Sequence, residues 1–313
     1  MGTRQEAVVS GMLHAWGGDG RTADIDRIMS AFALDARWTL YMPDGPTIVG
    51  RAAIGVEVAR QLAYFHLVSS RTLLIASGDN TVMAERCDTF VRRGVPGVMR
   101  VAGSFELNGD GQIVAWRDYF DMLDLAQITG VESSTMSGLE TAVASANLQL
   151  TPPVPEATAG GALSVPLQAA QSPEQQLIED FCNAWGDGSD TSRPDVDKII
   201  SMFAEDAEWQ LWVPGGPAIK GRAALSQEIR RQMQYATNNK CNTLLSVSSK
   251  AVVMQERSDW AVMRGRPCPH QMIAIYELDE QGLISRWREY INMADLDRKR
   301  GVKASEAGAL STS

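Results

Sequence analysis

Histidine is scarce in this 313-residue chain, which holds only His14, His66 and His270, and its four cysteines are scattered. Cys87, Cys182, Cys241 and Cys268 show none of the short paired spacing of zinc sites, and no histidine joins them in a ligand pattern. No metal is therefore expected. Nor is a disulfide framework expected in a chain of this size without a secretory leader. No glycine-rich strand-to-helix loop resembles a phosphate cradle, so the expected cofactor set is empty. No apolar run approaches the roughly 20 residues of a membrane helix. The N-terminus has no basic region followed by an apolar core, and Glu6 stands where a myristoylation signal carries Ser or Thr. A cytoplasmic protein with no membrane partner is the expectation. Cations are in deficit, 29 Lys and Arg against 38 Asp and Glu, for a formal net charge of -9. Phosphate binding relies on clustered cations, so no nucleic-acid partner is expected either. The one basic run, Arg298-Lys299-Arg300 with Lys303, reads as a solvated face.

What is present is ordinary globular composition, 44% hydrophobic and 21% charged, in a chain about twice the length one core organises. Two domains follow, and the chain repeats itself accordingly. Ser30-Ala31-Phe32-Ala33-Leu34-Asp35-Ala36-Arg37-Trp38 returns as Ser201-Met202-Phe203-Ala204-Glu205-Asp206-Ala207-Glu208-Trp209. Gly50-Arg51-Ala52-Ala53 returns as Gly221-Arg222-Ala223-Ala224, and Glu85-Arg86-Cys87-Asp88 as Glu256-Arg257-Ser258-Asp259. Trp116-Arg117-Asp118-Tyr119 is answered by Trp287-Arg288-Glu289-Tyr290, all at one offset of 171 residues. Between the copies the composition shifts to Ala, Ser, Thr and Pro. The expected organisation is a first domain at 1–130, a flexible linker at 131–173, a second domain at 174–301 and a disordered tail at 302–313.

Each copy reads as helices first and strands after. Val8, Val9, Met12, Leu13 and Trp16 fall at helical spacing, as do Ile25, Ile28, Met29 and Phe32. The second copy repeats this with Leu177, Ile178, Phe181 and Trp185, then Val196, Ile199, Ile200 and Phe203. A further helix is expected over 52–65. Strand-like runs follow at 72–76, 82–92, 97–107 and 113–122, with Asn108-Gly109-Asp110-Gly111 as a hairpin turn. Helices followed by an antiparallel sheet make an α+β fold.

Strand alternation gives the charges a direction. Arg86 and Asp88 share a strand face with Ala84 and Phe90, and Asp118 shares one with Trp116 and Phe120. The second copy keeps Arg257 with Asp259, and sets Glu289 between Trp287 and Ile291. A carboxylate on an apolar face is costly unless paired, and desolvation raises its pKa. An arginine between two acids can hold one ionised while the other keeps its proton, which is what acid/base chemistry near neutral pH requires. The same three residues also fit a purely structural buried ion-pair network, and the pattern alone leaves both open. Trp38, Tyr41, Trp209 and Trp212 line either the core or a pocket. Cys87 and Ser258 occupy the opposite strand face, as packing residues.

These residues carry a resemblance. Each copy resembles limonene-1,2-epoxide hydrolase, within the cone-shaped α+β superfamily of nuclear transport factor 2 and SnoaL-like cyclases. The likeness runs from Phe32-Ala33-Leu34-Asp35 through Glu85-Arg86-Cys87-Asp88 to Trp116-Arg117-Asp118-Tyr119-Phe120-Asp121. It implies two tandem cone-shaped domains, each a curved mixed sheet packed against N-terminal helices, paired as an intrachain pseudo-dimer. It also implies one-step, cofactor-free addition of water to an apolar epoxide, terpenoid-like or aromatic. Asp118 would be the base that deprotonates water, Asp88 the acid at the epoxide oxygen and Arg86 the bridge; Glu289, Asp259 and Arg257 take those places in the second copy. The family positions its water with a Tyr and an Asn, where this chain has Trp38-Thr39-Leu40-Tyr41 and Trp209-Gln210-Leu211-Trp212. Tyr41 and Gln210 are the available substitutes, with Trp116, Phe120 and Trp287 completing the pocket. The same acids could serve a cofactor-free lyase, isomerase or epoxide-opening cyclase, and a non-catalytic ligand-binding protein is the third reading.

Overall fold

Thr3 starts the first helix with a reciprocal cap, its hydroxyl accepting from the Glu6 N–H while the Glu6 carboxylate accepts from the Thr3 N–H. The computed structural model describes residues 3–18, 21–130, 148–149 and 154–302. It divides into two compact units, Met1–Pro153 and Val154–Ser313.

In the first unit α1 (Arg4–His14) buries Val9, Met12 and Leu13, one stripe at helical spacing. α2 (Ile25–Ser30), capped by Asp24, and α3 (Arg51–Tyr64) complete the helical side of the unit. The sheet is built from β1 (Phe32–Thr39), β2 (Thr47–Val49), β3 (His66–Gly78), β4 (Thr81–Arg92), β5 (Val95–Leu107) and β6 (Ile113–Tyr119). After β6 come α4 (Met122–Thr129) and the two-residue β7 (Leu148–Gln149). Strand order is β7-β2-β1-β6-β5-β4-β3, antiparallel throughout except for the parallel β1–β6 pair. Asn108 closes the turn between β5 and β6, its side chain accepting from the Asp110 and Gln112 N–H groups. The core is aromatic: Trp38 and Trp116 stack at 4.3 Å between centroids, with Trp16, Phe32 and Phe105 packed around them.

The second unit has a similar succession of elements, with two additional short strands, Ala236–Lys240 and Arg266–Pro267. α5 (Pro173–Asn183), α6 (Val196–Ser201) and α7 (Arg222–Gln232) accompany β8 (Phe203–Gln210) and β9 (Ala218–Lys220). Then come β10 (Ala236–Lys240), β11 (Thr243–Ser249), β12 (Val252–Met263), β13 (Arg266–Pro267), β14 (His270–Leu278), β15 (Ile284–Ile291) and α8 (Met293–Arg300). Its strand order is β11-β12-β14-β15-β8-β9, with β10 and β13 also pairing β12. Trp209 stacks on Trp287 at 4.2 Å.

Several expectations change. Phe32 and Phe203, counted with the preceding helices, begin β1 and β8 instead, because each helix ends two residues earlier at Ser30 or Ser201. The 113–122 run stops as a strand at Tyr119, and Asp121 caps a helix from Met122. The basic run is no bare solvated face: Arg298 pairs with Asp295, Lys299 with Glu156 and Asp295, and Arg300 with Asp297.

Residues 131–147, 150–153 and 303–313, the first part of the expected linker and nearly all of the expected tail, lie outside the described residues. From Val154 to Ser172, however, the segment read as linker lies against the second unit's own sheet. The fully buried Ser258 hydroxyl donates to the Pro155 carbonyl at 2.8 Å and accepts from the Ala157 N–H at 3.2 Å. Gln271 donates to the Val154 carbonyl at 2.7 Å, and Asn242 to the Gly161 carbonyl at 3.2 Å. Proline brings no N–H to satisfy, so a few buried donors on the sheet suffice to hold such a segment. Ser258 is thus a pin. Replacing it (Ser258→Ala) leaves a buried N–H and carbonyl unpaired and is expected to cost about 1–3 kcal/mol in denaturant unfolding of the second unit. Limited proteolysis should then cut within 154–172; unchanged stability and cleavage would contradict the assignment.

Candidate active site

Three adjacent strands of the first unit assemble its charged cluster. Arg86 lies on β4, Asp118 on β6, and β5 runs between them with Gly103 opposite both Ala84 and Asp118. The guanidinium must therefore cross β5, and Gly103 gives it passage: a Cβ there would sit 2.9 Å from Arg86 Nη1. Having crossed, Arg86 grips Asp118 with both ends of its fork, Nη1 to Oδ1 at 2.8 Å and Nη2 to Oδ2 at 2.9 Å. Its Nε donates to Asp88 Oδ2 at 3.0 Å, and the Ser70 hydroxyl donates to Asp88 Oδ1 at 2.6 Å. A fifth donor is the Trp116 indole N–H, 2.8 Å from Asp118 Oδ1. The Trp116 ring also lies beneath the Arg86 guanidinium, 5.7 Å from its centroid.

Burial governs the proton affinities. Arg86 is 5% exposed and Asp118 4%. Desolvation pushes the Asp118 pKa up, against the pull of Arg86 and the Trp116 hydrogen bond, and leaves it raised. Desolvation works to lower Arg86, but the two carboxylates outweigh it and hold the guanidinium charged. The cluster forms the polar end of a cavity of about 130 Å³, walled by Trp38, Leu40, Tyr41, Trp116 and Phe120. Every residue singled out from the first copy lines this space.

The second unit brings Arg257, Asp259 and Glu289 together differently. Ala274 occupies the crossing point, opposite Gln255 and Glu289, so a methyl stands where Gly103 leaves room. Arg257 turns its fork toward Asp259, with Nε at 3.1 Å and Nη2 at 2.6 Å from Oδ2, and the Asn242 backbone N–H holds Asp259 Oδ1 at 3.0 Å. Nη1 is taken by the Tyr276 hydroxyl. Glu289 reaches the clamp with one contact only, Oε1 to Arg257 Nη2 at 3.2 Å, and the Trp287 indole N–H has no partner among the described residues. The extra methylene of Glu289 compensates for the lifted guanidinium, but the grip is weaker. Burial, with a smaller contribution from Asp259 and against Arg257, pushes the Glu289 pKa up to about 7.

The second cavity, about 230 Å³, is lined by Arg257, Asp259 and Glu289 with Trp209, Trp212 and Trp287. Gln210 is a correction: its amide donates to the Pro214 carbonyl at 2.9 Å, which ties it to the turn after β8 and away from the cavity lining. Sequence reasoning passed over four contributors. Ser70 and Gly103 in the first unit, and their counterparts Cys241 and Ala274 in the second, stand at the same 171-residue offset and were open to comparison. His270 also lines the second cavity, where burial lowers its pKa and its Nδ1 lies 2.8 Å from the Cys268 carbonyl. His14 and His66 are exposed and Cys87 is half-buried. Among the described residues no group of three or more His, Cys, Asp or Glu side chains is placed to hold a metal ion. None of the helices described is long and apolar enough to cross a membrane.

The family-model comparison falls on the first unit. The family model of the limonene-1,2-epoxide hydrolase catalytic domain matches residues 6–130. No curated protein matches. Among solved structures, a hypothetical protein with a ketosteroid isomerase-like fold from Catenulispora acidiphila is 20% identical, with a TM-score of 0.36 over 41% of this chain and 95% of its own. An LEH-like epoxide hydrolase from M. tuberculosis is also 20% identical, with a TM-score of 0.35 over 44% of this chain and 95% of its own.

Two outcomes test the geometry. Gly103→Ala should cost about 1–3 kcal/mol of stability by displacing Arg86. Adding Asp118→Glu should recover part of that loss, as Ala274 and Glu289 do together; simply additive losses would contradict the coupling. Glu289 titrates in the opposite sense to an ordinary paired carboxylate. Its folded pKa is raised, so the folded state binds the extra proton between about 4.5 and 7, and stability falls as pH rises through that window. The whole effect is on the order of 3 kcal/mol. Glu289→Gln should flatten the slope, measured as unfolding free energy against pH; an unchanged slope would show that Glu289 does not carry it.

Proposed function

We propose that the chain is a cofactor-independent epoxide hydrolase, with the first unit as the principal site. The carrying observation is the Arg86 clamp joining Asp88 and Asp118 at the polar end of an apolar cavity. One guanidinium and two carboxylates sharing a single proton are electrically neutral, the least costly state for a cluster so poorly solvated. Burial makes Asp118 more basic than a surface carboxylate, while Arg86 and Trp116 favour its anion, the two properties a base for water needs. Asp88, held by the Arg86 Nε and the Ser70 hydroxyl, takes the role of the acid that passes a proton to the oxygen of an opening epoxide. Water adds to carbon as the C–O bond breaks, Asp118 takes the water proton, and Asp88 supplies one to the new hydroxyl. The apolar walls select an apolar substrate of terpenoid-like or aromatic character.

In the second unit the carboxylate at the base position, Glu289, is half protonated near pH 7 and held by one contact. This makes it the weaker site. Asp118→Asn should lower epoxide turnover by about 10²- to 10⁴-fold, and Glu289→Gln far less; equal losses would contradict the asymmetry.

A second reading rests on the wall beside Asp118. The segment after β1's Phe-Ala-Leu-Asp start presents Trp38 and Leu40 to the cavity, leaving Tyr41 as its polar member. An apolar wall suits proton transfer without water addition, as in a cofactor-free isomerase, lyase or epoxide-opening cyclase. Turnover of an apolar epoxide in oxygen-18 water separates the two. The hydrolase places one labelled oxygen in the diol; an unlabelled product would replace hydrolysis with the second reading.

A further inference from the structure

The two cavities differ most in charge. The first is lined by two cations, Arg60 and Arg86, against two carboxylates, Asp88 and Asp118. The second is lined by five, Arg231, Lys240, Arg257, Arg264 and Arg300, against two carboxylates, Asp259 and Glu289. Two of the five are neutralised from behind, since Glu228 pairs with Arg231 and Asp297 with Arg300. Arg257 is spent on the cluster itself. Lys240, half-buried, and Arg264, exposed in the turn after β12, make no ion pair among the described residues.

The first unit lacks these two charges at its cavity. At the 171-residue offset Lys240 corresponds to Ser69, whose hydroxyl pairs with that of Thr89, and Arg264 to Arg93, which does not line the first cavity. The excess is also not diluted by the cluster, because Glu289, with its pKa near 7, carries only part of a negative charge at neutral pH. A low-dielectric wall beside unpaired cations concentrates their field within the cavity. Apolar walls with unpaired cations among them are complementary to an amphiphile whose polar end is anionic.

From this we infer that the second unit's cavity binds a carboxylate-bearing apolar molecule, whereas the first binds an uncharged one. The inference takes the cavity to be a ligand site, as the proposed function does, but requires no catalysis there. Either of the two unpaired cations, Lys240 or Arg264, can meet the carboxylate, with the apolar body along Trp212, Trp260 and Met263. Such a division lets one chain hold a neutral compound and an acid at the same time.

Calorimetric titration of the full chain with octanoate, and separately with octan-1-ol, tests this directly. Octanoate should bind more tightly than the alcohol, on the order of five-fold at low salt, with the difference shrinking as ionic strength rises. Lys240→Met with Arg264→Gln should remove the preference, with an unchanged denaturant unfolding curve as the control that the second unit still folds. The salt dependence of the unaltered protein gives an independent reading if that variant is unstable. Equal affinities for acid and alcohol, a salt-independent preference, or a preference that survives the double substitution would each overturn the inference. Because the readout is binding, failure of epoxide turnover leaves this result interpretable, and loss of the preference leaves the hydrolase reading of the first unit untouched.

Discussion

A guanidinium crossing one strand to reach a carboxylate on the next is the constraint around which the first unit is arranged. It requires Gly103 on the strand crossed, an Asp and not a longer acid beyond it, and a donor to share the load, which Trp116 supplies. It also requires a core, because buried charges are tolerated only where every donor and acceptor has a partner. The stacked Trp38 and Trp116 therefore have two jobs. They bury apolar area in the centre of the unit, and they fix the indole N–H and ring face against which the ion pair is set.

The second unit shows the same constraint solved less tightly. One methyl at Ala274 accompanies one added methylene at Glu289, and the arginine fork swings to Asp259 and Tyr276. The consequence is electrostatic more than steric: a carboxylate with one contact in a desolvated site retains its proton to about pH 7. A base that is half occupied at neutral pH is a poorer base. Freed from a demanding geometry, the surrounding wall also differs, with Cys241 where the first unit has Ser70 and Lys240 where it has Ser69.

Much of this was readable before any coordinates. Strand alternation put Arg86 and Asp88 on one face of their strand and Asp118 between the aromatics of its own, while their meeting was implied by the family resemblance. The hairpin at Asn108 and the helix after Gly50 were likewise local signals. What escaped was non-local. Nothing near Gly103 in the sequence says that an arginine from another strand passes over it. Gln210 was misplaced because a turn carbonyl competed for its amide, a contact set by backbone shape. The stretch from Val154 to Ser172 has linker composition, yet it is held by Ser258, Gln271 and Asn242, which lie about 80 to 120 residues further along the chain. The helix boundaries at Ser30 and Ser201 slipped because Phe32 and Phe203 continue the helical spacing by coincidence while already packing as strand residues.

The central claim is that Arg86 and burial act against each other on a single carboxylate. A carbon-13 NMR titration of the Asp118 side-chain carboxyl measures that balance most directly. The account predicts a midpoint above the ordinary aspartate value, moving higher again when Arg86 is replaced by Gln in a chain that still folds. A midpoint at the ordinary value, indifferent to Arg86, would mean that the carboxylate is solvated and the clamp does not exist in solution.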